Sequence, residues 1–145
     1  MSEPVCELPR KNASGEEMRR LLSDAKTIAV VGLSEKPSRD SHRIAAYLQD
    51  HGYRVIPVNP ALHGEVLGEK AYPDLASVPV PIDIVDVFRR VEAIPGIVDE
   101  AIAVGAKSVW MQLGLAHDAS AGKARAAGLV VVQNKCIMVE HRHLA

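Results

Sequence analysis

Thr27-Ile28-Ala29-Val30-Val31-Gly32-Leu33-Ser34-Glu35-Lys36-Pro37-Ser38-Arg39-Asp40-Ser41 is the stretch that decides the fold. An apolar run ends at Gly32. A polar loop carrying Lys36, Pro37 and Arg39 follows, and then residues with helical apolar spacing. A buried strand, a tight turn at glycine and a helix N-terminus make an anion site, because free backbone N–H groups and the positive end of the helix dipole meet at one spot. Lys36 and Arg39 lie beside those groups. The stretch reads as the cradle of a phosphate-bearing ligand.

Working outward, the chain alternates short apolar strands with helices of about ten residues. Ser14 and Glu17 form a capping box for a helix over about 15–25 that buries Met18, Leu21 and Leu22. Residues 1–13 before it read as a loose arm. The helix after the quoted loop takes Asp40 or Ser41 as its cap and turns Ile44, Ala45 and Leu48 inward. It ends at Gly52. Pro57 has no N–H for a second neighbour, so the strand 54–58 lies at an edge or ends early. Residues 59–68 read as a long turn-rich loop, and Tyr72-Pro73-Asp74-Leu75 as a short helical turn. The strand 82–88 alternates apolar and acidic at its start, which predicts one less buried face. A helix over about 91–104, a strand over 108–113, a helix over about 118–127 ending at Gly128, and a strand over 129–132 complete the alternation. Residues 134–145 read as a terminal helix. The expected class is α/β: a Rossmann-like open, mostly parallel five-stranded sheet with helices on both faces. One domain spans 14–145. In such a sheet ligands bind outside the strand C-terminal ends, so the loops after Gly32, Val58, Phe88 and Leu113 converge on one crevice.

A chain of 145 residues, 48% hydrophobic but only 3% aromatic, can bury one aliphatic core. A net charge of −1 gives no basic excess for nucleic acid, so phosphate recognition must come from local cations. The acidic, Pro-bearing N-terminus has no apolar signal segment, and no run approaches the roughly 20 residues of a membrane span. Cys6 and Cys136, at opposite ends, have no metal or redox-motif spacing, which points to the reducing cytoplasm.

NAD is the obvious ligand, and the residues argue against it. The dinucleotide fingerprint needs three glycines, and here Gly32 is followed by Glu35 and Lys36. The acid that would hold a ribose hydroxyl after the second strand is replaced by Asn59-Pro60. The order Lys36-Pro37-Ser38 does not fit a Walker A loop.

Five segments occur together and in order: Val31 to Arg39, Pro57-Val58-Asn59-Pro60, Asp86-Val87-Phe88-Arg89, Trp110-Met111-Gln112-Leu113-Gly114, and Asn134 to His141. In this they resemble small stand-alone bacterial and archaeal CoA-binding proteins, which are similar to the N-terminal CoA-binding domain of the succinyl-CoA synthetase α subunit. The resemblance covers about 15–143. It implies a Rossmann-like domain that binds coenzyme A at the strand C-terminal ends. For that ligand, the backbone N–H groups of Leu33 and Ser34 in the Gly32 turn would hold the diphosphate. Lys36 and Arg39 would add charge-assisted bonds, with Arg43 one turn further on. Val58, Asn59 and Pro60 would flank the adenosine. Val87, Phe88 and Arg89 would bracket the adenine or the pantetheine arm, and Gln112 would bond the pantetheine amides. Each of these residues also has a plain reading: solvated cation, turn former or core. Trp110 reads as core.

No catalytic set is evident. The six histidines show no metal spacing, and His141-Arg142-His143 reads as a solvated terminal pair. There is no GxSxG motif. The synthetase α subunit needs a further domain with a phosphorylated histidine, which this sequence does not contain, so ligase activity is not carried over. Cys136 is either a small buried residue or a thiol poised for exchange with CoA. The expected function is non-catalytic binding of CoA or acyl-CoA. The alternatives are an NAD(P)-dependent oxidoreductase-type protein and a CoA-site subunit that works with a partner enzyme. The sequence does not decide for or against a homodimer.

Overall fold

The computed structural model describes residues 11–144. Five parallel strands form one sheet: β1 (Thr27–Val31), β2 (Arg54–Val58), β5 (Ile84–Val87), β6 (Ser108–Met111) and β7 (Val130–Val132), in the order β2-β1-β5-β6-β7. Between β2 and β5 lies a small antiparallel hairpin, β3 (Glu65–Val66) with β4 (Glu69–Lys70). The helices are α1 (Gly15–Asp24), α2 (Asp40–Asp50), α3 (Ile94–Ala103), α4 (Asp118–Ala126) and α5 (Ile137–Leu144). The expected α/β class and five-stranded parallel sheet hold.

Alternate strand residues feed two cores, because side chains leave a strand on opposite faces. Ile28, Val30, Ile84, Trp110 and Val132 pack with Met18 and Leu22 of α1, Ile44, Ala45 and Leu48 of α2, and Ile137 of α5. Ala29, Val31, Val85, Val87 and Val109 pack with Ile94, Val98 and Ala101 of α3 and with Ala121 and Ala124 of α4. Helices therefore cover both faces. β2 is an edge strand, the first of the two placements that Pro57 allows. Its outer side carries an isolated parallel bridge, from Val58 to Tyr72.

Four expectations need correction. The strand at 84–87 has no exposed face: all four residues are buried, and Asp86 is 0% exposed. An internal strand covered on both sides buries its acidic residue along with the rest. Residues 59–68 are not plain loop, since the hairpin turns through Leu67 (φ 54°) and Gly68 (φ 78°). A positive φ at leucine is uncommon, which hid the turn. Lys11 to Ala13 are tied down rather than loose. Asn12 Oδ1 accepts the Gln133 N–H and Asn12 Nδ2 donates to the Gln133 carbonyl, each at 2.8 Å. The rest of the expected arm, 1–10, lies outside the described residues. Finally, His141 is not a solvated tail group. Its Nδ1 lies 2.7 Å from the Tyr47 hydroxyl, and its ring packs edge-on to Tyr53 and His51.

The Ser14–Glu17 capping box is present, with both reciprocal bonds made. In sheet order the chain leaves β1 for β2 on one side and returns to β5 on the other. The switch point thus lies between the C-terminal ends of β1 and β5.

Candidate functional site

Gly32 ends β1 at that switch point. Its φ is +92°, and its N–H donates to the Val58 carbonyl at 2.8 Å. A Cβ here would lie 2.2 Å from the Phe88 carbonyl oxygen and 2.9 Å from Arg89 Cδ. No other residue type fits, because the backbone is left-handed and the neighbouring strand end closes the space.

The loop beyond is held by side chains from two other parts of the chain. Asn59 Nδ2 donates to the Leu33 carbonyl at 3.1 Å. The Ser34 N–H donates to Ser41 Oγ at 3.0 Å, and His42 Nδ1 lies 2.9 Å from the Ser34 carbonyl. The Lys36 N–H donates to Ser34 Oγ, and the Arg39 N–H to the Lys36 carbonyl. α2 then starts at Asp40 with Arg39 in the N-cap position, where no side chain caps the helix. Its first-turn donors are left to whatever occupies the groove. That groove, about 650 Å³, is lined by Gly32, Ser34, Lys36, Arg39, Ser41 and Phe88 among others. Lys36 and Arg39 are exposed, and among the described residues neither forms an ion pair. A second cavity of about 230 Å³ opens on the α3 side of the sheet, lined by Val31, Val58, Pro60, Leu75, Arg89 and Ile97 among others.

The structure brings Gly32, Ser34, Lys36, Arg39 and Phe88 to one groove, and Val58, Pro60 and Arg89 to the cavity beside it. Other expected contacts are used within the fold or lie outside the groove. The Ser34 N–H is bonded to Ser41 and is not free for a ligand. Leu33 is fully buried. Neither Asp40 nor Ser41 is the helix cap; both lie inside the first turn. Arg43 pairs with Asp40 at 2.6 Å on an exposed helix face and does not line the groove. The Asn59 side chain is used within the fold, since its Oδ1 also accepts the Ala61 N–H at 3.0 Å. Val87 is core. Gln112 is 5% exposed and its Oε1 accepts the Ile137 N–H at 3.2 Å, which closes the start of α5. Cys136 is a free, half-buried thiol just before α5, packed against the core under α1, α2 and α5. Trp110 is fully buried, and its indole N–H donates to the Lys135 carbonyl at 2.9 Å.

The sequence reading did not assign Ser41 and His42 to the site. The only available signal was their place in the first turn of the helix after the loop. Asp86 was missed as well. It lies on the strand two residues before Phe88, and neither carboxylate oxygen has a hydrogen-bond partner within the described residues. Burial pushes its carboxyl well above the usual carboxylate range, which favours the protonated form.

The CoA binding domain family matches residues 26–142. The Bacillus subtilis (strain 168) protein YneT is 42% identical over 131 residues, spanning 90% of this chain and 96% of that protein. A solved protein from Pyrococcus horikoshii OT3 is 41% identical over 99% of both chains, with a TM-score of 0.88. The dinucleotide-forming acetyl-coenzyme A synthetase 1 of Ca. Korarchaeum cryptofilum is 25% identical over 79% of this chain, with a TM-score of 0.66, and the match covers 27% of that synthetase. By sequence and by fold, this chain belongs to the CoA binding domain family.

Proposed function

We propose that the chain binds coenzyme A, or an acyl-CoA, at the C-terminal ends of β1 and β5, and that it binds without catalysing a reaction. One observation carries the reading: α2 opens on the groove with no side-chain cap, beside two unpaired cations and a glycine that no Cβ could replace. That set of groups fits a diphosphate, which takes backbone donors, the helix dipole and cationic bonds together. The diphosphate lies in the 650 Å³ groove. The adenosine lies in the cavity beside Val58 and Pro60, across Gly32 and Arg89. The pantetheine arm runs past Phe88 towards the end of β6. A role beside a partner enzyme predicts that a second chain co-purifies.

A thermal-shift titration with CoA, acetyl-CoA, NAD and NADP at matched concentrations tests this. A ligand that binds only the native state adds about 2.7 kcal/mol at roughly a hundredfold excess over Kd. A shift with CoA or acetyl-CoA and none with NAD is expected. A shift with NAD or NADP alone overturns the reading in favour of an oxidoreductase-type protein.

A further inference from the structure

Ser41 lines the groove and is 7% exposed. Its Oγ accepts the Ser34 N–H at 3.0 Å. A hydroxyl that accepts this bond keeps its own hydrogen to donate. Among the described residues, that hydrogen has no acceptor in the protein. The N–H that Ser41 accepts belongs to the Leu33–Ser34 peptide. The carbonyl of the same peptide is held from the other side by Asn59 Nδ2 at 3.1 Å. One peptide plane is therefore clamped at both ends, by a residue after β2 and a residue in α2. Neither Asn59 nor the Leu33 carbonyl it holds is part of the groove lining.

We propose that Ser41 is a phosphate-binding residue whose hydroxyl is aimed by a relay: Asn59 amide to Leu33 carbonyl, Ser34 N–H to Ser41 Oγ, and Ser41 O–H to a phosphate oxygen. This rests on the coenzyme A reading and names the donor within it. Bonds in such a chain polarise one another, so the terminal O–H is a better donor than an isolated serine. The clamp also turns the Leu33 carbonyl away from the anion. His42 does the same for the next carbonyl, that of Ser34. Asn59 is thus a positioning residue that acts through Ser41.

A double-mutant cycle tests the relay, with calorimetric titration of CoA into wild type, Ser41→Ala, Asn59→Ala and the double variant. Ser41→Ala should weaken CoA by about tenfold or more, as expected for a hydrogen bond to a charged group. Asn59→Ala should weaken it less, and the double variant should be no weaker than Ser41→Ala alone. In the 31P spectrum of bound CoA, Ser41→Ala should move the diphosphate resonances and leave the 3′-phosphate in place. On the wild-type chain, adding CoA should shift the Ser34 amide proton downfield, a readout that does not depend on any variant folding. Unchanged affinity in Ser41→Ala, additive losses in the cycle, or an unmoved Ser34 amide each overturns the relay while CoA binding stands. A wild-type chain that does not bind CoA overturns the proposed function, and the relay with it.

Discussion

Four helices, α2 to α5, begin at the same end of the sheet, and they are finished in different ways; α3 continues from a short turn at Val91–Ala93, with Pro95 in its first turn and no side-chain cap. α4 and α5 are closed by the protein itself. His117 Nδ1 accepts the Ser120 N–H at the start of α4, and Gln133 Oε1 takes the His117 N–H. Gln112 Oε1 takes the first N–H of α5. α2 has no such cap, and it faces a groove with two unpaired cations. The buried polar groups follow the same division. Gln112 and Gln133, near the closed ends, are hydrogen-bonded, whereas Asp86, near the end of β5, has no hydrogen-bond partner among the described residues. A helix end that the fold satisfies contributes stability. A helix end left open contributes little until something binds, and α2 differs from the uncapped α3 in facing a groove lined by Lys36 and Arg39.

The largest effect should come from Gly32→Ala. The added Cβ would collide with the Phe88 carbonyl in a left-handed backbone. Urea denaturation should show a loss of about 3 kcal/mol or more, with CoA binding lost as well. An unchanged midpoint would mean that the ends of β1 and β5 are not in close contact.

Asp86→Leu should stabilise the chain at pH 7 by about 1–3 kcal/mol, because it removes an unpartnered buried polar group. The sign with pH follows from the raised carboxyl. The stability this group contributes is full below its unfolded pKa and is lost as pH rises through the higher folded value. The gap between variant and wild type should therefore widen from about pH 4 to pH 7, the range above the ordinary carboxylate pKa. A gap that narrows instead would show that Asp86 has an ionised partner.

Removing both free cations, in Lys36→Ala with Arg39→Ala, should separate function from stability at the open end. Stability should change by less than about 0.5 kcal/mol. CoA affinity should fall by at least about tenfold, and less at high salt. An equal loss of stability would place these cations in the fold instead.

Gln112→Leu tests the closed end. It should cost about 1 kcal/mol as α5 loses its first partner, with CoA affinity unchanged in the same titration. If affinity falls while stability holds, Gln112 contacts the pantetheine as the sequence suggested.

The smallest effect is expected at His141, far from the groove. Burial, and then the nearby His51, hold its pKa below the ordinary histidine value. The unfolded chain therefore binds this proton first, and stability should fall as pH drops through the histidine range. The ring is only partly buried, so the effect is screened and modest. His141→Phe should flatten the acid limb of the melting curve, opposite in sign to the change at Asp86. CoA binding should be unaffected.

Much of this was legible in the order of residues. The strand–helix alternation, the Ser14 box, the Pro57 edge and the Gly32 turn all rest on local rules: period, capping, a missing N–H and a missing Cβ. The open cations Lys36 and Arg39 were legible because they sit within the turn that defines the site. Other features were not. Asn59 and Gln112 read as ligand contacts because they end strands, yet each donates or accepts within the fold. Arg43 read as a third cation, and Asp40 neutralises it one turn away. The alternation at the start of 82–88 suggested one less buried face, and helices on both sides of the sheet removed it.

The sequence by itself determined the class of fold, the place of the Gly32 turn and the charge beside it, because these depend on neighbours along the chain. Only the tertiary structure decided which polar groups remain free. A donor is free or taken according to what lies across from it in space, and Ser34, Ser41, Asn59 and Gln112 meet their partners from 7 to 26 residues away.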